Sequence, residues 1–177
     1  MPKDSTKKNQ NDLKHMTLEE FRSAGYATID WLVEYMADME KNPITPSVSP
    51  GDVRSMLSDR VPEEGEPYAQ LLEDMTKIIK PGLTLWQHPG FYGYFSANSS
   101  PPAILGDLLS TGLGVQGMLW ATGPAITELE THVLDLLADL CGLPSQFKSS
   151  GSGGGVIQDS ASSATLCAIL AARESLG

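Results

Sequence analysis

Residues Lys148–Gly177, KSSGSGGGVIQDSASSATLCAILAARESLG, decide how this chain is read. Gly151, Gly153, Gly154 and Gly155 stand ahead of Ser160, Ala161 and Ser162, and a helical pattern through Leu166, Ile169 and Leu170 follows. Glycine adopts backbone angles closed to other residues and lets a bulky ligand approach the main chain. Serines at a helix start add hydroxyls to amides that have no partner within the helix. With the helix dipole, worth about 0.3–1 kcal/mol per charge, such groups suit a phosphate. A Walker-type loop is excluded, because no lysine follows the glycines. A dinucleotide fingerprint is excluded too, because Val156 stands where its third glycine belongs. On composition a flexible linker stays equally open. Val156, Ile157 and the apolar helix favour a packed site.

At 177 residues and 41% hydrophobic content, the chain has the size and composition of one globular domain. A net charge of −10 excludes general affinity for nucleic acid, which demands a basic surface. Cys141 and Cys167 fall in apolar helical runs and read as small buried hydrophobes, without a disulfide framework. That usage fits a reducing, cytoplasmic setting. No secretory signal is visible, and no apolar run approaches a membrane span. No metal-ligand spacing appears, and no His or Asp is arranged to activate either thiol.

Residues 1–16 are polar and lysine-bearing, and read as a mobile tail. Thr17-Leu18-Glu19-Glu20 has the capping-box pattern. It predicts a helix to about Lys41, with Leu18, Phe21, Ile29, Leu32, Met36 and Met39 near one face. Trp31, Val33 and Tyr35 widen the apolar area, so this helix must be buried on more than one side, within the fold or against a partner. Pro43, Pro46 and Pro50 end it. A short helix is expected over 52–59 with Asp52 as its cap, and a stronger one over 67–80, stopped by Pro81-Gly82. Residues 83–100, LTLWQHPGFYGYFSANSS, lose periodicity and gather aromatic, Gly and small polar residues. Helical spacing returns over 101–112 and 124–141, where Ile126, Leu129, Val133, Leu136, Leu137 and Leu140 make a core face. Gly142 and Pro144 end that helix. The last helix would have no sheet to pack against, so either the phosphate reading fails or the chain belongs to something larger.

Four ordered blocks carry a resemblance: PGLTLWQHPGFYGYFSANSS (81–100), ILGDLLSTGLGV (104–115), Gly123-Pro124-Ala125 with Thr127-Glu128-Leu129-Glu130, and GGGVIQDSASSATL (153–166). From about Phe21 the chain resembles the N-terminal third of the group II pyridoxal-phosphate decarboxylases, aromatic-L-amino-acid branch, particularly bacterial members. The resemblance implies an α/β fold of the aspartate-aminotransferase type, fold type I among pyridoxal 5′-phosphate (PLP) enzymes. Residues 17–100 would be the helical arm and substrate-pocket segment, and 101–177 the first part of the large PLP-binding domain. It implies a homodimer joined through the N-terminal arm, and a C-terminal remainder that completes the domain.

By that resemblance Ser160, Ala161 and Ser162 contact the cofactor phosphate. Trp86, Tyr94, Phe95 and Ala97 line the space for the amino-acid side chain, where aromatic walls suit an aromatic ligand. Gln116 and Met118 match a loop reaching into the neighbouring subunit's pocket. Asp159 stands where many relatives have Gly, and Ser163 where many have Glu; the Asp159 carboxylate is expected to point away from the phosphate. Ser96 and Ala97 replace the Pro and Thr of some animal members. His88 reads as orienting or structural, and His15 and His132 as solvated. The implied activity is decarboxylation of an L-amino acid, of the aromatic class, to its amine and CO2. The catalytic lysine, aspartate and histidine would lie beyond Gly177, so the isolated chain is expected to be inactive and poorly folded. The alternatives are a non-catalytic dimerisation or regulatory module, and an aldehyde-forming or acidic-amino-acid enzyme on the same scaffold.

Overall fold

Thr17 opens the first helix as its pattern predicts. In the computed structural model, which describes residues 15–95 and 99–176, the Thr17 hydroxyl accepts the Glu20 amide at 3.2 Å. The Glu20 carboxylate returns to the Thr17 amide at 2.7 Å. The tail expected over 1–16 lies, up to Lys14, outside the described residues. Helix α1 runs Leu18–Ala37 and passes into a 3₁₀ turn, Met39–Lys41. Helix α2 is Asp52–Met56, and its cap is Gly51, not Asp52. Gly51 takes φ +102, while the Asp52 carboxylate turns back to accept the Ser49 amide at 2.7 Å.

The single helix expected over 67–80 is divided. Helix α3 covers Tyr68–Asp74, a π-helical stretch Met75–Ile79 follows, and Lys80–Gly82 closes as 3₁₀. A π turn is a local widening of an α-helix. Here it sets Thr76 to accept the Trp31 indole N–H at 2.8 Å, while the Thr76 hydroxyl donates to the Leu72 carbonyl at 2.9 Å. Thr28 and Tyr68 share a hydroxyl–hydroxyl bond of 2.6 Å. The Trp31 bond ties α1 to the π stretch, and the Thr28 bond ties it to α3. Trp31 stacks on Tyr35 with ring centroids 5.6 Å apart. Ile29, Leu32 and Met36 are half-buried, whereas Leu18, Phe21, Tyr26 and Val33 of the same helix stay exposed.

The chain divides into two compact units, residues 1–99 and 100–177. In the second, Ser100 caps helix α4, Pro101–Leu113, and Gly114 ends it at φ +59. Helix α5, Pro124–Leu140, ends in a Schellman motif: the Gly142 amide bonds the Asp139 carbonyl and the Leu143 amide the Ala138 carbonyl, both at 2.9 Å. Gly142 holds φ +67 just past the cap, Cys141. A 3₁₀ turn at Ser145–Phe147 and helix α6, Ala161–Ser175, complete the unit. Among the described residues there is no strand, and no helix long and apolar enough to cross a membrane.

Two sequence expectations about burial fail in this chain. The predicted core face of α5 is exposed at Leu129, Val133, Leu136, Leu137 and Leu140. What α5 covers instead is its flank, with Glu130, Leu134 and Asp135 half-buried and Ala138 buried. Cys141 and Cys167 are exposed as well. The physical reason is common to both: apolar residues buried among the described residues are only Met39, Leu85 and Ala138. Helices patterned for burial meet no covering layer here.

Candidate functional site

In the first unit the aromatic run is organised by one buried pin. Leu85 is 4% exposed, and its amide bonds the Ile44 carbonyl at 2.9 Å. Tight turns follow, from the His88 amide to Leu85 and from the Phe91 amide to His88, at 3.0 and 2.8 Å. The His88 ring nitrogen Nδ1 accepts the Gly90 amide at 2.9 Å, so His88 shapes the turn. This folding returns aromatic rings onto Trp86. Phe91 lies 5.0 Å from it and Tyr94 5.8 Å, both tilted. Tyr94 takes φ +54, a left-handed angle that is uncommon outside Gly, Asn and Asp. Phe95 is fully exposed, and Ala97 lies outside the described residues. Phe91, not among the expected pocket residues, is the ring nearest Trp86; its place in the aromatic run was the available signal.

In the second unit, Gln116 and Met118 occupy the turn between α4 and α5, with both side chains exposed. A Cβ on buried Gly123 would stand 2.8 Å from the Gln116 carbonyl oxygen, so glycine there lets the turn close on itself. Trp120 anchors the same turn, its indole N–H donating to Glu128 at 2.8 Å.

The glycine-rich run is a fitted loop, not a linker. Ser149 donates its amide and its hydroxyl to the Asp135 carboxylate, at 2.9 and 2.6 Å. Lys148 pairs with Asp139. The two bonds from Ser149, hydroxyl first and amide second, hold the Asp135 carboxyl below its ordinary value. A Cβ at Gly153 would press into the Gln146 carbonyl, and one at Gly155 would meet Leu134 at 3.1 Å. Farther along, the Ile157 amide donates to Glu130 at 2.6 Å.

At Ser160 the helix begins. The Ser160 hydroxyl accepts the Ser163 amide at 3.3 Å, and the Ser163 hydroxyl accepts the Ser160 amide at 3.2 Å. The Ser163 hydroxyl also donates to the Asp159 carboxylate. Serine at 163 therefore serves as the second half of a capping box, with Asp159 behind it. The first main-chain bond of the helix joins the Ala164 amide to the Ser160 carbonyl at 3.0 Å. That leaves the amides of Ala161 and Ser162, and the Ser162 hydroxyl, without an acceptor or donor partner among the described residues. Two free amides, a hydroxyl and the positive end of a 15-residue helix form a donor set suited to a phosphate dianion. The residues fit the phosphate of PLP.

Comparison with known proteins defines the class: a fold type I pyridoxal-phosphate enzyme. Residues 50–176 match the family model described as the pyridoxal-dependent decarboxylase conserved domain. The chain belongs to that family. It is 45% identical over 162 residues to phenylacetaldehyde synthase of Arabidopsis thaliana, covering 92% of this chain and 33% of that protein. It is 44% identical over 160 residues to aromatic-L-amino-acid decarboxylase of Rattus norvegicus, covering 89% and 33%. The crystal structure of Catharanthus roseus tryptophan decarboxylase in complex with L-tryptophan superposes with a TM-score of 0.85 at 41% identity, covering 92% of this chain and 35% of that one. The chain thus spans about a third of the length of the curated relatives it matches.

Proposed function

We propose that these residues supply the phosphate cradle and part of the substrate wall of an enzyme that decarboxylates an aromatic L-amino acid to its amine and CO2. The observation that carries this reading is the pair of unpartnered amides beside Ser160, inside a family match that runs from residue 50 to 176. Bound PLP would supply an electron sink for the pair left on Cα when CO2 departs. The chain's own residues bind and orient. Ser162 and the Ala161 and Ser162 amides hold the phosphate, while the Ser160–Ser163 box fixes the first helical turn beneath it. Trp86, Tyr94 and Phe95 form the wall against the substrate ring, with Phe91 backing Trp86. Gln116 and Met118 extend toward the site of a second subunit. The exposed side of α1, with Leu18, Phe21, Tyr26 and Val33, supports a homodimer joined through this arm. The bare face of α5 supports a C-terminal remainder as the covering layer. A cytoplasmic location fits the exposed, unpaired cysteines.

Assay of the intact protein with L-tryptophan, L-tyrosine, L-DOPA and L-glutamate tests the reading. Amine and CO2 in equal amounts from an aromatic substrate are expected. An aldehyde product would place the protein with the phenylacetaldehyde synthases it resembles, and failure to take up PLP would leave only a non-catalytic module. Ser162→Ala should weaken PLP binding about ten- to a hundredfold, as loss of a hydrogen bond to a charged group does. Unchanged affinity would remove Ser162 from the cradle.

A further inference from the structure

Helix α5 carries acidic side chains that hold the returning chain at successive points. Asp139 pairs with Lys148, Asp135 takes both donors of Ser149, Leu134 receives the close approach of Gly155, and Glu130 takes the Ile157 amide. The returning segment therefore runs back along α5, from its C-terminal end toward its N-terminal half. Glu130 and Leu134 are four apart and share one helix face, about 5–6 Å from each other. A two-residue step of extended chain covers about 6.6 Å, so Gly155 and Ile157 can meet that face in register. Between Gly151 and the cap at Ser160, the Ile157–Glu130 bond is the only hydrogen bond to α5 among the described residues.

That bond falls three residues before the helix start whose free amides face outward. We propose that Glu130 is a positioning residue for the phosphate cradle: its carboxylate, through the Ile157 amide, sets where Ser160–Ser162 stand relative to α5. The proposal rests on the cradle reading above. Reach is the operative property, because the acceptor must meet a main-chain N–H that cannot move toward it without shifting Gly155 off Leu134. Gln keeps the acceptor oxygen at the same distance, Asp withdraws it by one methylene, and Ala removes it.

The test uses the intact protein, freed of cofactor and titrated with PLP by absorbance. Glu130→Ala should raise the apparent Kd about tenfold or more, Glu130→Asp should fall between, and Glu130→Gln should stay within about threefold of wild type. Hydrogen exchange of the peptide 153–162 in the cofactor-free protein should quicken in the same order. If wild type takes up PLP and all three variants bind it equally, the positioning role is wrong and the cradle reading stands. If Asp binds as wild type while Gln binds as Ala, charge and not reach is at work, and the proposal is overturned. If wild type takes up no PLP, the cradle reading itself fails. Should Glu130→Ala not fold, the order of Gln and Asp still decides.

Discussion

A methyl group on Gly153 would collide with the Gln146 carbonyl oxygen and stand 2.8 Å from the Phe147 Cα, both main-chain atoms that cannot swing aside. Gly153→Ala should therefore destabilise the intact protein by about 1–3 kcal/mol, the range for forcing extra volume into a packed site, as read from a denaturant melt. Asp159 makes a different kind of statement. Its carboxylate accepts from the Ser163 hydroxyl and so remains close to the helix start, where it complements the dipole but opposes a bound phosphate. Asp159→Asn keeps an acceptor for Ser163 and removes the charge. PLP should bind about two- to fivefold tighter to this variant at low salt, with the gain shrinking as salt rises. Equal affinity at low salt would show that the charge is not felt at the phosphate.

At the scale of elements, caps and stops were legible because they depend on neighbours in sequence. Thr17 with Glu20, and Gly142 past the end of α5, do what the sequence predicts, whereas the cap expected at Asp52 falls to Gly51. The division of the third helix was not legible, since its π stretch answers to Trp31 of α1, 45 residues away. Nor could spacing reveal which side of α5 is occupied. Its heptad-like leucines announce an apolar face, whereas the acids that hold the loop are scattered among them. The aromatic run could be flagged, but Tyr94's left-handed backbone and the ring of Phe91 against Trp86 emerge only in three dimensions.

One residue of α5, Asp135, also carries a pH signature. Asp135 is held below the ordinary 3.8 by its bonds from Ser149. A carboxyl lowered in the folded state contributes stability that is present above its unfolded value, and that contribution is lost as pH falls through the folded one. The window therefore lies below about pH 4. Carbon-13 titration of the Asp135 carboxyl should give a midpoint below 3.8, and Ser149→Ala, which removes the hydroxyl bond but leaves the amide bond, should raise it. An unshifted midpoint in the wild type would mean the loop is not held in solution.

For the whole molecule, the scarcity of buried residues is decisive. Met39, Leu85 and Ala138 are the apolar residues buried among those described, while leucines of α4, α5 and α6 stand bare. Exposed apolar faces of this extent belong to interfaces or to interiors completed by other chain. Residues 1–177 expressed alone should bind a hydrophobic dye such as ANS, melt without a cooperative transition and release no CO2 from any aromatic amino acid. A sharp calorimetric transition in the isolated chain would contradict this.

Helix α5 is read from several sides at once, and its turns serve as the ruler. Inserting one residue between Glu130 and Asp139 would swing everything after it by about 100°. Placed ahead of Asp135, the insertion carries Lys148 and Ser149 along with their acids, while Ile157 loses Glu130. A substitution along this rod touches one contact at a time, but a frame-preserving insertion or deletion shifts all the contacts on one side of it against those on the other. Among natural variants, drift in letters should far outrun drift in length here.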